Sequence, residues 1–174
     1  SFDFEDNFEG QRDRLILEFL YGTGMRLAEL IGIAHEDVDL HAKTVRVLGK
    51  GNKVRIIPLN DTLVAAIRQY ADNKKSEFGN NNSGRLLVTN KERPLYPKFV
   101  YRVAKMYISL VTTSEHNSPH VLRHSFATHL LNKGADLNAI KDLLGHASLA
   151  ATQVYTHNSI EKLKSIFEKA HPKA

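Results

Sequence analysis

The spacing of apolar side chains predicts a mostly helical chain with one small sheet near its beginning. A helical repeat precedes the Gly22–Gly24 break and resumes after it, so two helices are expected there. Three short alternating segments, Glu36–Leu40, Lys43–Gly49 and Lys53–Leu59, have the pattern of strands, with a turn at GKGN. Their order implies a three-stranded antiparallel sheet. The apolar residues of the first helical repeat are Leu15, Ile16, Phe19 and Leu20.

The pattern after the sheet is again helical. Asp61 is predicted to cap an amphipathic helix, and Arg85–Thr89 is predicted to be a short strand or extended segment. The next helix carries an apolar stripe of Phe99, Val103, Met106 and Leu110. Three predicted helices close the chain, beginning at Asp136, Ser148 and Ser159. These patterns predict an α+β fold that is mainly helical, with the sheet in the first third.

The length of 174 residues suits one domain, with residues 1–11 as a leading segment and 159–174 as a C-terminal helix and tail. The chain has no cysteine, which excludes disulfides and thiolate metal sites and fits a reducing compartment. It has no long apolar run, and its acidic start lacks the layout of a secretion signal. We therefore expect a cytoplasmic protein. The net charge of +5 is compatible with a nucleic-acid partner.

The segment NSPHVLRHSFATHLL places cationic side chains where a helix begins. Ser118 is predicted as the N-cap, Pro119 as the first helical residue, and Gly134 as the end. Cations at a helix N-terminus oppose the helix dipole, unless an anion is bound between them. His120 and Arg123 share a face at i and i+3, which favours a phosphate or carboxylate ligand. A solvated basic helix face explains these two residues equally well.

A zinc site is a weaker alternative. His120 and His124 have the i, i+4 spacing of a zinc-binding helix, but Val121 occupies the position of the glutamate that follows the first histidine. Arg123, on the same turn, would also repel a dication. Another alternative is a non-catalytic helix-turn-helix module, because DLNAIKDLLGHASLAATQVY has a helix, a glycine turn and a second helix.

Four motifs together resemble the tyrosine site-specific DNA recombinases of the phage integrase and Xer-like branch. They are TGMRLAEL, GKGNKVRIIPL, HVLRHSFATHLL and LLGHASLAATQVYTH, and the resemblance runs from about Arg12 to His157. It implies the fold of that family's catalytic domain. It also implies a six-residue catalytic set, with Lys53 as a less favoured candidate for the lysine: Arg26, Lys50, His120, Arg123, His146 and Tyr155.

The resemblance implies strand cleavage and rejoining without a metal or other cofactor. Tyr155 would attack a DNA phosphate, form a 3′-phosphotyrosyl bond and free a 5′-hydroxyl. The two arginines and His146 would stabilise the charge of the transition state, His120 would accept the tyrosine proton, and Lys50 would protonate the leaving oxygen. A relaxing topoisomerase of related chemistry is a further alternative.

The implied partner is a double-stranded DNA recombination site. The family carries an N-terminal core-binding domain that this chain lacks, so we expect a fragment that is monomeric alone and tetrameric on two DNA sites at full length. The final helix packs either in cis or onto a neighbouring protomer. We expect Glu29 to cap or orient a neighbour, and His124 and His129 to belong to the scaffold. The remaining candidates for DNA-backbone contact are Arg55, Lys98, Arg102 and Lys105.

Overall fold

The computed structural model describes residues 4–80, 83–109 and 118–134, and within these ranges it has five α-helices, two short 3-10 turns and three strands. The helices are α1 (Phe8–Thr23), α2 (Leu27–Gly32), α3 (Asp61–Phe78), α4 (Pro97–Ser109) and α5 (Pro119–Asn132). The strands are β1 (Val38–Asp39), β2 (Thr44–Leu48) and β3 (Val54–Pro58). The predicted α+β class is confirmed. The helices predicted to begin at Asp136, Ser148 and Ser159 lie outside the described residues.

Helix α1 packs against each of the other four helices. The side-chain oxygen of Asn7 caps its start by accepting a 2.8 Å hydrogen bond from the backbone N–H of Gly10. The helix ends before Gly24, whose φ of 65° is a left-handed conformation that costs glycine little, so the chain turns sharply into α2. The four apolar residues predicted from helical spacing are fully buried: Leu15, Ile16, Phe19 and Leu20.

The three strands form an antiparallel sheet in the order β1-β2-β3, as predicted. Val45 pairs with Ile57, and Val47 pairs with Arg55. All four of these side chains are buried, so one face of β2 and β3 faces the core. A short 3-10 turn, Lys50–Asn52, connects β2 to β3. The predicted extended segment after α3 is confirmed by an isolated bridge between Val88 and Pro94.

Helix α3 is capped by Asn60 and not by Asp61 as predicted. The side-chain oxygen of Asn60 accepts a 2.8 Å hydrogen bond from the backbone N–H of Leu63, while Asp61 is the first helical residue. Both residue types are good caps, so composition alone did not distinguish them. Asp61 instead forms a 2.7 Å ion pair with Lys43 at the surface.

Replacing Asn60 with alanine is expected to lower the free energy of unfolding by about 1 kcal/mol, because the backbone N–H of Leu63 would lose its capping partner. Asp61→Ala is the matched control and should cost about 0.5 kcal/mol or less, since its exposed ion pair is screened by water. Urea denaturation of both variants measures the difference. A larger loss for Asp61→Ala than for Asn60→Ala would contradict the cap assignment.

Helix α4 presents a different face to the core from the predicted stripe. Val103 is buried as predicted, but Met106 is 50% exposed and Phe99 is only partly buried, while Leu110 lies outside the described residues. The residues that do face the core are Val100, Val103, Ala104 and Ile108. Two overlapping apolar lines satisfy the same helical spacing, and the one that contains the small Ala104 is the one that packs.

Helix α5 begins and ends where the sequence predicts. Pro119 is its first residue, and the φ of 85° at Gly134 ends it. Ser118 occupies the N-cap position with extended backbone, but its side chain makes no capping hydrogen bond. Phe126 on this helix is fully buried in the core, which fixes α5 against the rest of the fold. No helix within the described ranges is long and apolar enough to cross a membrane.

Candidate active site

The turn between α1 and α2 places Arg26 at the edge of the core. Met25 is fully buried, which anchors the turn, and Arg26 follows it as the N-cap residue of α2. The Arg26 side chain is 36% exposed, so its guanidinium reaches solvent while its backbone is fixed. This arrangement suits a side chain that must meet a ligand at a defined position.

Glu29 organises the surroundings of Arg26. Its carboxylate accepts a 2.7 Å hydrogen bond from the backbone N–H of Arg26 and forms a 3.4 Å ion pair with the Arg26 guanidinium. Burial would raise the pKa of Glu29, but hydrogen bonding and attraction to Arg55, and then to Arg26, hold that pKa below its usual value. The prediction that Glu29 orients a neighbour is therefore confirmed by its contacts.

Arg55 is buried, which contradicts its prediction as a DNA-backbone contact. It is 4% exposed, and both of its terminal nitrogens bond to the two carboxylate oxygens of Glu29; the Nη2–Oε2 distance is 2.9 Å. A side chain that is buried and bound to a carboxylate in this way is not available to contact a phosphate backbone. The sequence carried a signal for this, because Arg55 falls in the inward phase of β3, two residues before the buried Ile57.

Arg123 is the fifth residue of α5, and its side chain reaches back to the α1–α2 turn. Its Nη1 donates a 2.7 Å hydrogen bond to the backbone oxygen of Gly24. Burial, and then the positive charges of Arg26 and Arg55, lower the pKa of Arg123 to about 10. The guanidinium remains charged at neutral pH, in a cluster where cations repel one another. A bound anion would relieve that repulsion, so the geometry favours an anion site formed by Arg26 and Arg123, hereafter the arginine pair.

The three histidines of α5 differ in their surroundings. His120 is exposed on the first turn, with its ring 6.5 Å from that of Tyr101 on α4. His124 is exposed, whereas Nε2 of His129 is buried and has no hydrogen-bond partner among the described residues. His120 and Arg123 thus lie together at the helix start, as predicted. Within the described ranges, no group of three or more histidine, aspartate or glutamate side chains could hold a metal ion.

Lys50 is exposed on the turn between β2 and β3, and its loop lies next to Glu29. The backbone N–H of Gly49 donates a 2.7 Å hydrogen bond to the oxygen of Lys53, which closes the loop. A Cβ atom built at Gly49 would lie only 3.3 Å from Oε1 of Glu29. The lysine loop therefore contacts the same carboxylate that holds Arg26. His146 and Tyr155 lie outside the described residues.

The sequence matches the model of the phage integrase family over residues 3–162. The chain belongs to the phage integrase family. Tyrosine recombinase XerC of Chlorobaculum parvum is 48% identical to it over 172 residues, which cover 96% of this chain and 51% of that protein. Tyrosine recombinase XerD of Staphylococcus haemolyticus is 44% identical over 166 residues, with coverages of 95% and 56%.

Solved structures of recombinases agree with this assignment. The crystal structure of XerA recombinase has a TM-score of 0.71 at 29% identity and covers 89% of this chain and 56% of its own. XerH recombinase bound to its difH substrate before cleavage has a TM-score of 0.72 at 28% identity, with coverages of 92% and 48%. The predicted catalytic-domain fold is confirmed. The chain spans about half the length of the curated relatives it matches.

Proposed function

We propose that this chain is the catalytic domain of a site-specific recombinase that cuts and rejoins double-stranded DNA through Tyr155. The observation that carries the proposal is the arginine pair. Arg26 and Arg123 come from distant parts of the sequence, and the positive charge of Arg26 contributes to the lowered pKa of Arg123. Arg123 binds the backbone oxygen of Gly24, two residues before Arg26, and two guanidinium groups on neighbouring elements suit the negative charge of a phosphodiester.

The arginine pair would stabilise the negative charge that builds on the non-bridging oxygens as the phosphorus becomes five-coordinate. Donors that are fixed before the reaction lose little free energy in reorganising, and Glu29 and the Gly24 oxygen provide that fixation here. His146 is proposed as a further donor to the same oxygens.

Tyr155 would attack the phosphorus, and the bond from phosphorus to the 5′ oxygen would break. The tyrosine proton passes to His120, and Lys50 gives a proton to the departing 5′ oxygen, so the products are a phosphotyrosyl ester and a free 5′-hydroxyl. A 5′-hydroxyl of another strand reverses these steps and releases Tyr155. The ester retains the energy of the phosphodiester, so no nucleotide cofactor is needed.

The partner is a duplex recombination site, and the full-length protein would act as a tetramer on two such sites. Strand exchange between two duplexes requires four active sites. Lys98, Arg102 and Lys105 on α4 remain proposed backbone contacts. The helix predicted from the sequence at 159–169 would connect those active sites if it packs onto a neighbouring protomer, and would not if it packs in cis.

Covalent trapping tests the proposed function. A cognate duplex is first selected by binding from a random library and is then nicked next to the cleavage position, so that the 5′-hydroxyl diffuses away and the ester accumulates. The wild-type protein should form a denaturation-resistant adduct, and Tyr155→Phe should form none. Absence of the wild-type adduct on a duplex that it binds specifically would refute catalysis and favour a helix-turn-helix binding module. Supercoil relaxation without exchange between two sites would point to a topoisomerase.

A further inference from the structure

Arg55 is an arginine at an inward position of a sheet. It lies near the turn end of the β2–β3 hairpin, one residue after Val54, and pairs across the strands with the buried Val47. An apolar residue would fill this position without an electrostatic cost, whereas a buried cation requires a partner. Packing of the sheet alone therefore does not explain why an arginine occupies this position.

The partner of Arg55 also holds Arg26. Arg55 bonds through two nitrogens to two oxygens of Glu29, a geometry that fixes both distance and orientation. The same carboxylate accepts the backbone N–H of Arg26 at 2.7 Å. One buried ion pair therefore connects β3 to the N-terminus of α2, where Arg26 of the arginine pair lies.

The loop that carries Lys50 rests on this ion pair. A Cβ atom at Gly49 would lie 3.3 Å from Oε1 of Glu29 and 3.7 Å from Nη1 of Arg55. Gly49 has an ordinary extended backbone, with φ of −91°, so the need for glycine here is space and not backbone conformation. The close approach leaves little freedom for Gly49, and Lys50 is the next residue.

We propose that Arg55 is a positioning residue that, through Glu29, fixes the Lys50 loop relative to the arginine pair. The proton donor for the leaving oxygen and the donors for the phosphate oxygens are then held at a constant separation. The inference rests on the proposed function, because it assigns Lys50 its role in strand cleavage. A purely structural Arg55 would neutralise Glu29 and support the fold without affecting one chemical step more than another.

The leaving group distinguishes the two roles. Cleavage is measured on a cognate duplex with the normal 5′ oxygen and on one with sulfur in its place. A thiolate leaves without a proton donor, since a thiol has a pKa of about 8.5 and an alcohol lies far higher. The protein at its natural length is compared with Lys50→Ala, Arg55→Met and Arg55→Lys. Arg46→Met is the matched control, because Arg46 is on β2 with an exposed ion pair to Asp37.

Lys50→Ala should cleave the oxygen duplex about 10²–10⁴-fold more slowly and the sulfur duplex at nearly the wild-type rate. Arg55→Lys keeps a charge opposite Glu29 but loses the two-pronged contact; it should slow oxygen cleavage by about tenfold or more, with recovery on sulfur. Arg55→Met should behave likewise with a larger loss. Arg46→Met should match wild type on both duplexes.

Equal losses of the Arg55 variants on both duplexes would overturn the proposal, and so would wild-type rates for Arg55→Lys. If both Arg55 variants fail to fold, Gly49→Ala decides, because it keeps both Glu29 and Arg55 and adds a methyl group between the loop and their ion pair. Its failure to show the oxygen-selective loss would also overturn the proposal. A wild-type protein that cleaves neither duplex would instead refute the proposed function, and the positioning role with it.

Discussion

Alanine in place of Arg123 is expected to slow strand cleavage by about 10²–10³-fold, the usual cost of removing one fixed donor from a developing oxyanion. Arg26→Ala should have an effect of similar size. The two residues act on the same phosphate, so the double variant should lose less than the product of the two single effects. Single-turnover cleavage of a nicked cognate duplex measures these rates. Binding of the duplex should weaken much less than the rate, since the charge to be stabilised is largest in the transition state.

Two controls separate this role from a general loss of structure or of positive charge. Arg46→Ala removes an exposed arginine that pairs with Asp37, and it should leave the cleavage rate unchanged. A methylphosphonate at the cleaved position removes the charge of one non-bridging oxygen, and it should restore cleavage to one of the two arginine variants. A loss below about tenfold for Arg123→Ala, in a variant that still folds, would contradict the assignment of Arg123 to the arginine pair.

Local pattern predicted most of the described fold. The sequence alone locates three features: the helix end at Gly24, the start of α5 at its proline, and the alternation in β2 and β3. Each of them depends on residues that are close together in the chain. The errors arose where two neighbours satisfied the same rule. Asn60 and Asp61 both suit a cap, and two adjacent apolar lines on α4 both suit a core. Only packing and hydrogen-bond geometry decide such cases.

The candidate site was predicted from motifs, and its connecting contacts were not. The motifs identify Arg26, Lys50 and Arg123 one at a time. They do not predict that Glu29 contacts both the start of α2 and the β2–β3 hairpin. The sequence offers Arg55 as a DNA-backbone contact only because it is one of several basic residues, and most arginines of folded proteins are exposed. The burial of Arg55 depends on Glu29, which is 26 residues away in the sequence. The two side chains meet because α2 packs against the sheet.

Replacing Glu29 with glutamine is expected to lower the free energy of unfolding by about 3–5 kcal/mol, because Arg55 would remain buried without a counter-charge. The side chains of Glu29 and Arg55 are only 3% and 5% exposed, so water cannot solvate the remaining cation. Two other cations, Arg26 and Arg123, would add repulsion. The glutamine oxygen can still accept a hydrogen bond from the backbone N–H of Arg26. The loss of stability therefore measures the effect of removing the negative charge of Glu29. Urea denaturation at pH 7 measures it.

The second half of this prediction is a double-mutant cycle with a pH dependence. Arg55→Met in the Glu29→Gln background removes the stranded charge, so the double variant should regain about 2 kcal/mol relative to Glu29→Gln alone. The pKa of Glu29 is lowered in the folded state from 4.5, so its stabilisation is complete above that pH and is lost as the pH falls below it. Glu29→Gln should therefore weaken the decline in stability as the pH falls below 4.5. An additive cycle, or an acid decline equal to that of wild type, would show that the Glu29–Arg55 pair contributes little to the stability of the fold.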